Sequence, residues 1–347
     1  MRKLRPRLLA LAGAVLILFA LDLLSGSVRI PLAEALGILL GRAAENPVHG
    51  TILLLFRLPK ALVALAGGAA LAASGLLLQT VFRNPLAGPD VLGINSGASV
   101  GVAFLVLAAG GSGAAGASSL LGSLGLAGYA LLALAASLGA GLVLGLILLL
   151  SRRFEDAVTL LILGMLVGYV AGAAVSLLVY FGAPSKVQLY LSWTYGSFGG
   201  VTVRELPVFL GAIGLGFLLL LRAGKPLNAL LLGERYAASL GVDVRRERDR
   251  AIAAAALLTG AATAFCGPIA FVGIAAPQAA RRYLKSSDHG LLIPASGLTG
   301  ALFCLGADVV AQLPRNGSVL PVNPLLALVG APIILSVFMR RSAEERP

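Results

Sequence analysis

Long apolar runs separated by short polar stretches make up most of the chain. The runs are continuous rather than alternating with a period of two, which favours helices over strands. A helix needs about 20 apolar residues to cross a bilayer. The pattern predicts ten spans, at residues 8–26, 59–82, 91–109, 119–150, 156–181, 206–222, 250–268, 270–284, 291–313 and 324–340. We therefore expect an all-α polytopic membrane protein in which residues 1–347 form a single transmembrane domain.

Composition agrees with this pattern. The chain has 347 residues, of which 58% are hydrophobic, and its mean hydropathy is +0.95, far above that of a soluble domain. The 44 glycines suit closely packed membrane helices. The basic, apolar start would also fit a cleaved signal peptide. Its apolar stretch is long and no small-x-small cleavage pattern follows, which favours a retained first span.

The net charge of +12 could indicate a nucleic-acid partner, but the distribution of the charge argues against one. If both termini are cytoplasmic, 20 of the 27 Lys and Arg residues fall on the inner side. This bias is the one that cytoplasmic loops show in membrane proteins. We expect a multi-pass protein of a bacterial inner membrane with both termini inside, in contact with lipid and without nucleic acid.

Two predicted spans are interrupted. Residues 83–101 and 266–282 contain Pro and Gly where a continuous helix would run, one break in each half of the chain. Irregular backbone at membrane depth is tolerated where it lines a cavity, and paired breaks are typical of transporters built from two halves. The candidate pathway residues near the first break, which could instead only stabilise helix packing, are Gln79, Asn84, Asn95, Ser96 and Ser99.

Few charged or titratable side chains fall inside the predicted spans. Asp308 is the deep one, and either a pathway or gating role or a structural hydrogen bond would explain it. Asp22 lies near the end of the first span and is expected to reach the interface. His49 and His289 fall in predicted loops and are expected at the surface.

The sequence shows no pattern of an enzyme. It contains no G-x-x-x-x-G-K-[ST] phosphate loop, no H-E-x-x-H pair and no cysteine cluster. Cys266 and Cys304 both lie in apolar runs and are predicted to be buried thiols. We expect no catalytic residues, no metal and no cofactor on this chain, so the energy for any transport would come from a partner.

One dense polar stretch interrupts the second half. Residues 231–250 carry nine charged side chains. All but Arg250 lie in the longest inner loop, residues 223–249, and we call this loop the polar segment. Its sequence predicts a short helix that stops at Gly241. Tyr236, Leu240 and Val242 offer apolar contacts. A docking element for a cytoplasmic protein and a solvated loop that obeys the charge rule are both consistent with these residues.

Several stretches together resemble one known family. They are RLPK (57–60), GAALAASGLLLQTVFRNPLAGPDVLGINSGA (68–98), LGERYAASLGV (232–242), GPIAFVGIAAPQAAR (267–281) and LPVNPLLALVGAPIILSVFMRR (320–341). From about residue 31 to 341, the chain is similar to the FecCD-like permease subunits of type II ATP-binding-cassette (ABC) importers. These importers carry iron–siderophore complexes, haem or cobalamin.

The resemblance implies a function and a set of partners. It implies a permease that moves its substrate by alternating access, paired with a second permease subunit, here expected to be a second copy, although a heterodimer stays open. Two cytoplasmic ATPases would bind ATP and Mg²⁺, and a periplasmic or lipid-anchored binding protein would deliver the substrate.

The resemblance also assigns residues. By matching position, the residues that would couple the permease to the ATPases are Gly233, Glu234, Arg235, Tyr236, Ala237, Ala238, Ser239, Leu240 and Gly241. Arg57 and Lys60 match the cations that dock the binding protein. A third family arginine is Gln312 here, with Arg315 nearby.

Two alternatives and the cargo stay open at this stage. A secondary transporter driven by an ion gradient would need more than one deep carboxylate or a basic relay, whereas Asp308 is the one predicted. A membrane-embedded enzyme would need a catalytic set. Departures from the family pattern, such as Pro277–Gln278 where Pro-His is common, weaken any transfer of cargo identity.

Overall fold

In the part of the chain that the structure describes, most residues lie in helices. A computed structural model describes residues 5–42, 44, 46–108, 126–154, 157–314 and 319–344, and no strand occurs among them. The α-helices are α1 Arg5–Leu24, α2 Leu32–Leu39, α3 Pro47–Thr51, α4 Leu58–Val81, α5 Ile94–Ala103, α6 Leu126–Arg153, α7 Ala157–Phe181, α8 Pro184–Thr194, α9 Leu206–Leu218, α10 Gly224–Leu231, α11 Glu234–Ser239, α12 Val244–Cys266, α13 Val272–Leu284, α14 His289–Ala311 and α15 Val322–Glu344. Two π-helical stretches, Ile52–Arg57 and Phe104–Ala108, and a 3₁₀ turn, Pro89–Leu92, complete them.

Each of the ten predicted spans coincides with a helix, although residues 119–125 lie outside the described part. Among the described residues, six helical segments are long and apolar enough to cross a membrane, and three shorter ones are apolar. The tenth, α13, has 13 residues, contains Pro277 and is largely buried. It is shorter than a span exposed to lipid, and a helix enclosed by protein does not need the length or the apolar surface that lipid demands.

Helix α4 forms the centre of the bundle. Most of its residues are buried, and it packs against α9, α12, α13 and α14. Gly68 of α4 and Gly300 of α14 let the two backbones meet, because a Cβ at either glycine would overlap the other's carbonyl. Small residues at such crossings allow the close packing that holds membrane helices together.

The two predicted breaks are present, and they touch each other. Gly93 (φ 71°) separates the 3₁₀ turn from α5, and Gly267 (φ 76°) follows α12. Pro89 of the first break packs on Gly273 at the start of α13. Gln278 Nε2 donates to the Pro85 carbonyl at 3.1 Å. The backbone freed at each break is thus enclosed by the other half of the chain, as irregular backbone at membrane depth requires.

Candidate functional site

The polar segment contains two short helices ordered by glycine and a cap. The predicted short helix is confirmed as α11, which begins after Gly233 (φ 113°) and is followed by Gly241 (φ 81°). Both φ values lie where residues with a Cβ are strained. The Asp243 carboxylate then accepts from the Arg246 N–H, at 3.0 Å, and caps the start of α12. The backbone therefore presents α11 as a defined element and not as an irregular loop.

Apolar side chains face outward on this segment. Ala237 is the buried residue of α11, whereas Leu232, Tyr236 and Leu240 are 68%, 50% and 58% exposed. Scattered exposed apolar residues are ordinary on a protein surface, but a group of them on a dense polar segment indicates a surface that another protein covers. The arrangement favours the docking interpretation over the solvated loop.

A buried arginine holds the start of α11 against its neighbours. Arg248 of α12 is 3% exposed. Its Nη1 lies 4.0 Å from Glu234 Oε1, and its Nη2 donates to the Ser151 carbonyl at 3.3 Å. Ser151 Oγ donates in turn to Asp249 Oδ1 at 3.0 Å. Glu234, predicted as a coupling residue, is thus tied to the ends of two membrane helices.

His289 is fully buried, so the prediction that it is a surface residue was wrong. Its Nδ1 lies 2.8 Å from Asn228 Oδ1 and its Nε2 lies 2.7 Å from Thr80 Oγ1. Asn228 Nδ2 donates to Asp288 Oδ1 at 2.8 Å. We call Thr80, Asn228, Asp288 and His289 the His289 network. The sequence did not reveal this network, because His289 falls in a predicted loop and its partners come from α4 and α10, far away along the chain.

The hydrogen-bond partners of Asn228 and His289 indicate which of their atoms carry protons. Asn228 Nδ2 donates to the Asp288 carboxylate. The Asn228 Oδ1 atom is therefore the acceptor that faces the imidazole, and His289 donates to it through Nδ1. Nε2 then carries the lone pair and faces the Thr80 hydroxyl, whose single proton is shared between Nε2 and the Leu76 carbonyl, 2.8 Å from Thr80 Oγ1. The Asp288 pKa is lowered, first because the Asn228 amide donates to the carboxylate and then because the Gly290 N–H does so. Asp288 is also the cap of α14.

An ionic cluster joins the opposite ends of the same helices. Lys60 Nζ of α4 lies 2.6 Å from Asp308 Oδ2 of α14 and 3.5 Å from Asp22 Oδ1 of α1. Gln312 Nε2 donates to Asp22 Oδ1 at 2.9 Å and to Asp308 Oδ2 at 3.0 Å. We call these four residues the ionic cluster. The contacts support the structural interpretation of Asp308.

Two expectations change at this end of the bundle. Asp22 is fully buried and does not reach the interface. Arg57 is 5% exposed, and its guanidinium donates to the Leu23 and Leu24 carbonyls at the end of α1, at 3.0 and 3.2 Å. Docking by Arg57 and Lys60 stays a prediction, and both cations also have partners within the chain. Arg315 lies outside the described residues.

The predicted pathway residues take part in contacts between helices. Gln79 Nε2 donates to the Ile274 carbonyl at 3.2 Å, and its Oε1 accepts from Gln278. Asn95 accepts from Thr263 at 2.6 Å. These partners support the packing interpretation, while a pathway role stays a prediction.

The other three pathway candidates lie nearby. Asn84 Oδ1 accepts from the Leu86 N–H and closes a turn. Ser99 lies close to the Tyr190 hydroxyl, and Ser96 lies against Gly168 of α7. The structure thus brings four of the five candidates to contacts with distant parts of the chain, and Asn84 to a local turn.

The fold and the polar segment define a multi-pass helical membrane protein with a short, glycine-bounded helix in its polar segment. A profile of the FecCD transport family matches residues 14–340, and the chain belongs to that family. It is therefore the permease subunit of an ABC importer.

Relatives of known name agree with the family. The vitamin B12 import system permease protein BtuC of Klebsiella pneumoniae subsp. pneumoniae is 35% identical over 284 residues, which cover 82% of this chain and 81% of that protein. BtuC of Photorhabdus laumondii subsp. laumondii is 34% identical over 285 residues, covering 82% and 80%. A solved inward-facing ABC transporter of the metal-chelate type superposes with a TM-score of 0.81 at 29% identity, covering 96% of this chain and 98% of that one.

Proposed function

We propose that this permease carries a cobalamin-type metal chelate across the inner membrane by alternating access. Two partner ATPases dock on α11 and supply the energy. A substrate-binding protein delivers the cargo to the opposite face, and a second copy of the chain completes the pathway. Both termini lie in the cytoplasm, on the side that the Lys and Arg distribution favours. Cobalamin is the first choice because the relatives above are vitamin B12 permeases.

The observation that carries the coupling part of the proposal is the geometry of α11. The helix buries Ala237 against the protein and leaves Tyr236, Ala238 and Leu240 outward. A short, glycine-bounded helix with an apolar outer face is suited to insertion in a cleft, because its shape is fixed before docking. ATP-driven movement of the partner can then be transmitted as force.

Reconstitution tests the proposal as a whole. The chain is co-expressed with candidate ATPases, purified as a complex and placed in proteoliposomes with the binding protein. Uptake of cyanocobalamin that requires ATP is expected. Ferric siderophore and haem are tested in parallel. ATP-dependent uptake of one of these instead of cyanocobalamin would overturn the proposed cargo but leave the proposed importer function standing. Uptake driven by an ion gradient, with no ATPase bound, would contradict the proposal.

A matched pair of variants tests the docking face. Ala238→Trp adds bulk to the outer face of α11, and Ala183→Trp adds the same bulk to an exposed alanine before α8, outside the polar segment. We expect the first variant to fold but to lose co-purification with the ATPases, and the second to retain it. Charge reversal at Glu234 or Arg235 should likewise uncouple ATP hydrolysis from uptake. Equal co-purification of the two tryptophan variants would show that α11 is only a solvated element.

A further inference from the structure

Asn228 of α10 ties the polar segment to the membrane helices. Its Nδ2 donates to Asp288 Oδ1, and its Oδ1 accepts from the His289 backbone N–H at 2.8 Å as well as from the imidazole. Three hydrogen bonds thus join one amide to the first turn of α14. The two backbones are also close here, because a Cβ at Gly224 would lie 3.4 Å from the Gly290 nitrogen.

His289 extends this connection to a second membrane helix. Its Nε2 reaches Thr80 in the last turn of α4, at 2.7 Å, and its ring is fully buried. Helices α4 and α14 are the pair that meets at Gly68 and Gly300. The connection from α10 therefore ends on the central helix pair of the bundle and not on a peripheral helix.

The step from α10 to α11 is short and hydrogen-bonded. Residues Leu232 and Gly233 separate the two helices. The Gly233 N–H donates to the Leu230 carbonyl at 3.1 Å, and the Ala237 N–H donates to the Gly233 carbonyl at 2.9 Å. A displacement of α11 is thus transmitted to α10 without a flexible linker between them.

We propose that Asn228 and His289 are positioning residues for transport, which fasten α10 and α11 to the α4–α14 pair as one rigid body. This rests on the proposed docking of ATPases at α11. Movement of the docked ATPases then moves the central pair of membrane helices and not the polar segment alone. Hydrogen bonds suit this role, because they fix direction and distance where apolar contacts can slide.

Spin-label distances test the rigid body without knowledge of the cargo. Nitroxides are attached to cysteines at Lys225 of α10 and Val310 of α14, both exposed and both outside the predicted coupling residues. The native Cys266 and Cys304 are buried and should label slowly. In the complex with ATPases, the distance from Lys225 to Val310 is measured with ADP and with AMP-PNP. For the wild type we expect the same distribution in both states, because the two labels move together.

Two variants remove hydrogen bonds of the His289 network, and two further variants are matched controls. Asn228→Leu removes the amide, and Thr80→Val removes the hydroxyl at nearly constant shape, while Thr80→Ser restores it. Thr259→Val is the control, because Thr259 donates to Ser74 at 2.9 Å in another buried bond of α4 that does not reach the polar segment. We expect nucleotide-dependent or broadened distances for the first two variants and wild-type behaviour for Thr80→Ser and Thr259→Val.

Transport per ATP provides the second readout. In proteoliposomes, Asn228→Leu and Thr80→Val should lower the amount of cyanocobalamin moved per ATP by about tenfold, the factor that one net hydrogen bond produces in an equilibrium. Thr259→Val should leave the ratio near that of the wild type. A merely structural role would lower stability in all three variants and leave the ratio unchanged.

The outcomes separate the two proposals. If the wild-type chain binds no ATPase, the proposed function fails. If the wild-type complex hydrolyses ATP but the distance from Lys225 to Val310 changes with nucleotide, or both variants behave like the wild type, the rigid-body proposal is overturned and the proposed function stands. Should Asn228→Leu fail to fold, the Thr80→Val and Thr80→Ser pair decides the result.

Discussion

The ionic cluster and the His289 network join the same two helices, α4 and α14, at opposite ends. At one end Lys60 meets Asp308 at 2.6 Å. At the other Thr80 meets His289 at 2.7 Å. Between them the backbones touch at Gly68 and Gly300. The first connection depends on an ion pair. The second depends on directed hydrogen bonds of Thr80, Asn228 and His289, which carry no paired charge, with the Asp288 carboxylate beyond them; we call it the neutral end.

The difference shows what each connection can tolerate. A buried ion pair must offset the cost of removing its charges from water, so loss of one partner leaves an uncompensated charge. A neutral network loses less when one bond is removed, but it fixes orientation through every bond. The charged end thus anchors α1, α4 and α14 together, while the neutral end extends to the polar segment. Four predictions follow from this contrast.

The largest effect is expected at Lys60. Lys60→Met leaves Asp22 and Asp308 close together without their cation, and it should lower the free energy of unfolding by about 3 kcal/mol. Denaturant titration in detergent measures the change. Arg29→Met, at an exposed arginine after α1, is the control and should stay within about 0.5 kcal/mol. Equal effects would mean that the ionic cluster contributes no more than a surface charge.

A change midway between the two clusters should weaken both. In Gly300→Ala the new Cβ would overlap the Gly68 carbonyl and the Ala72 side chain, so α4 and α14 must separate. Such overpacking typically costs about 1–3 kcal/mol. Gly306→Ala on the same helix adds a Cβ that meets Leu18 at 3.9 Å, an ordinary contact. That variant should be neutral or slightly stabilising, and a loss equal to that of Gly300→Ala would refute the close-approach argument.

Removal of one bond from the neutral end should have a smaller effect. Thr80→Val leaves His289 Nε2 buried without a donor, and it should destabilise the protein by about 1–2 kcal/mol. Thr80→Ser keeps the hydroxyl and should recover most of that loss. The same denaturant titration compares them. If serine and valine are equally destabilising, the hydroxyl does not serve the imidazole.

The smallest effect is a pH dependence at Asp288. Its pKa is lowered from 3.8 by the Asn228 amide and the Gly290 N–H, so the folded state favours the carboxylate. The stabilisation is therefore complete above the unfolded value and is lost as the pH falls below about 4. The melting temperatures of the wild type and Asp288→Asn are compared from pH 7 to pH 3. Their difference should be constant down to about pH 5 and then shrink; a difference that grows on acidification would contradict the sign.

Much of the fold could be predicted from local pattern. Each predicted span coincides with a helix, both breaks lie where Pro and Gly placed them, and α11 ends before Gly241 as expected. These features depend on residues close in sequence: apolar run length, glycine at positive φ, and the missing N–H of proline. The resemblance to the FecCD family was confirmed for the same reason, because it rests on contiguous stretches.

The polar contacts could not be predicted, and the errors share one cause. Asp22 was expected at the interface and His289 at the surface, and both are fully buried. Their partners lie far along the chain: Gln312 for Asp22, and Thr80 and Asn228 for His289. An Asp just before an apolar run favours a helix cap, and Asp288 does cap α14. That signal did not indicate what would pack on the imidazole.

The sequence by itself determined where the helices run, where they break and where the polar segment interrupts them. The tertiary structure decided which charged and polar groups are enclosed. The physical reason is that a span is selected by the transfer of its own side chains into lipid, whereas a buried polar group is stable only beside partners that complete its hydrogen bonds. Those partners are brought together by helix packing, which no single stretch of sequence contains.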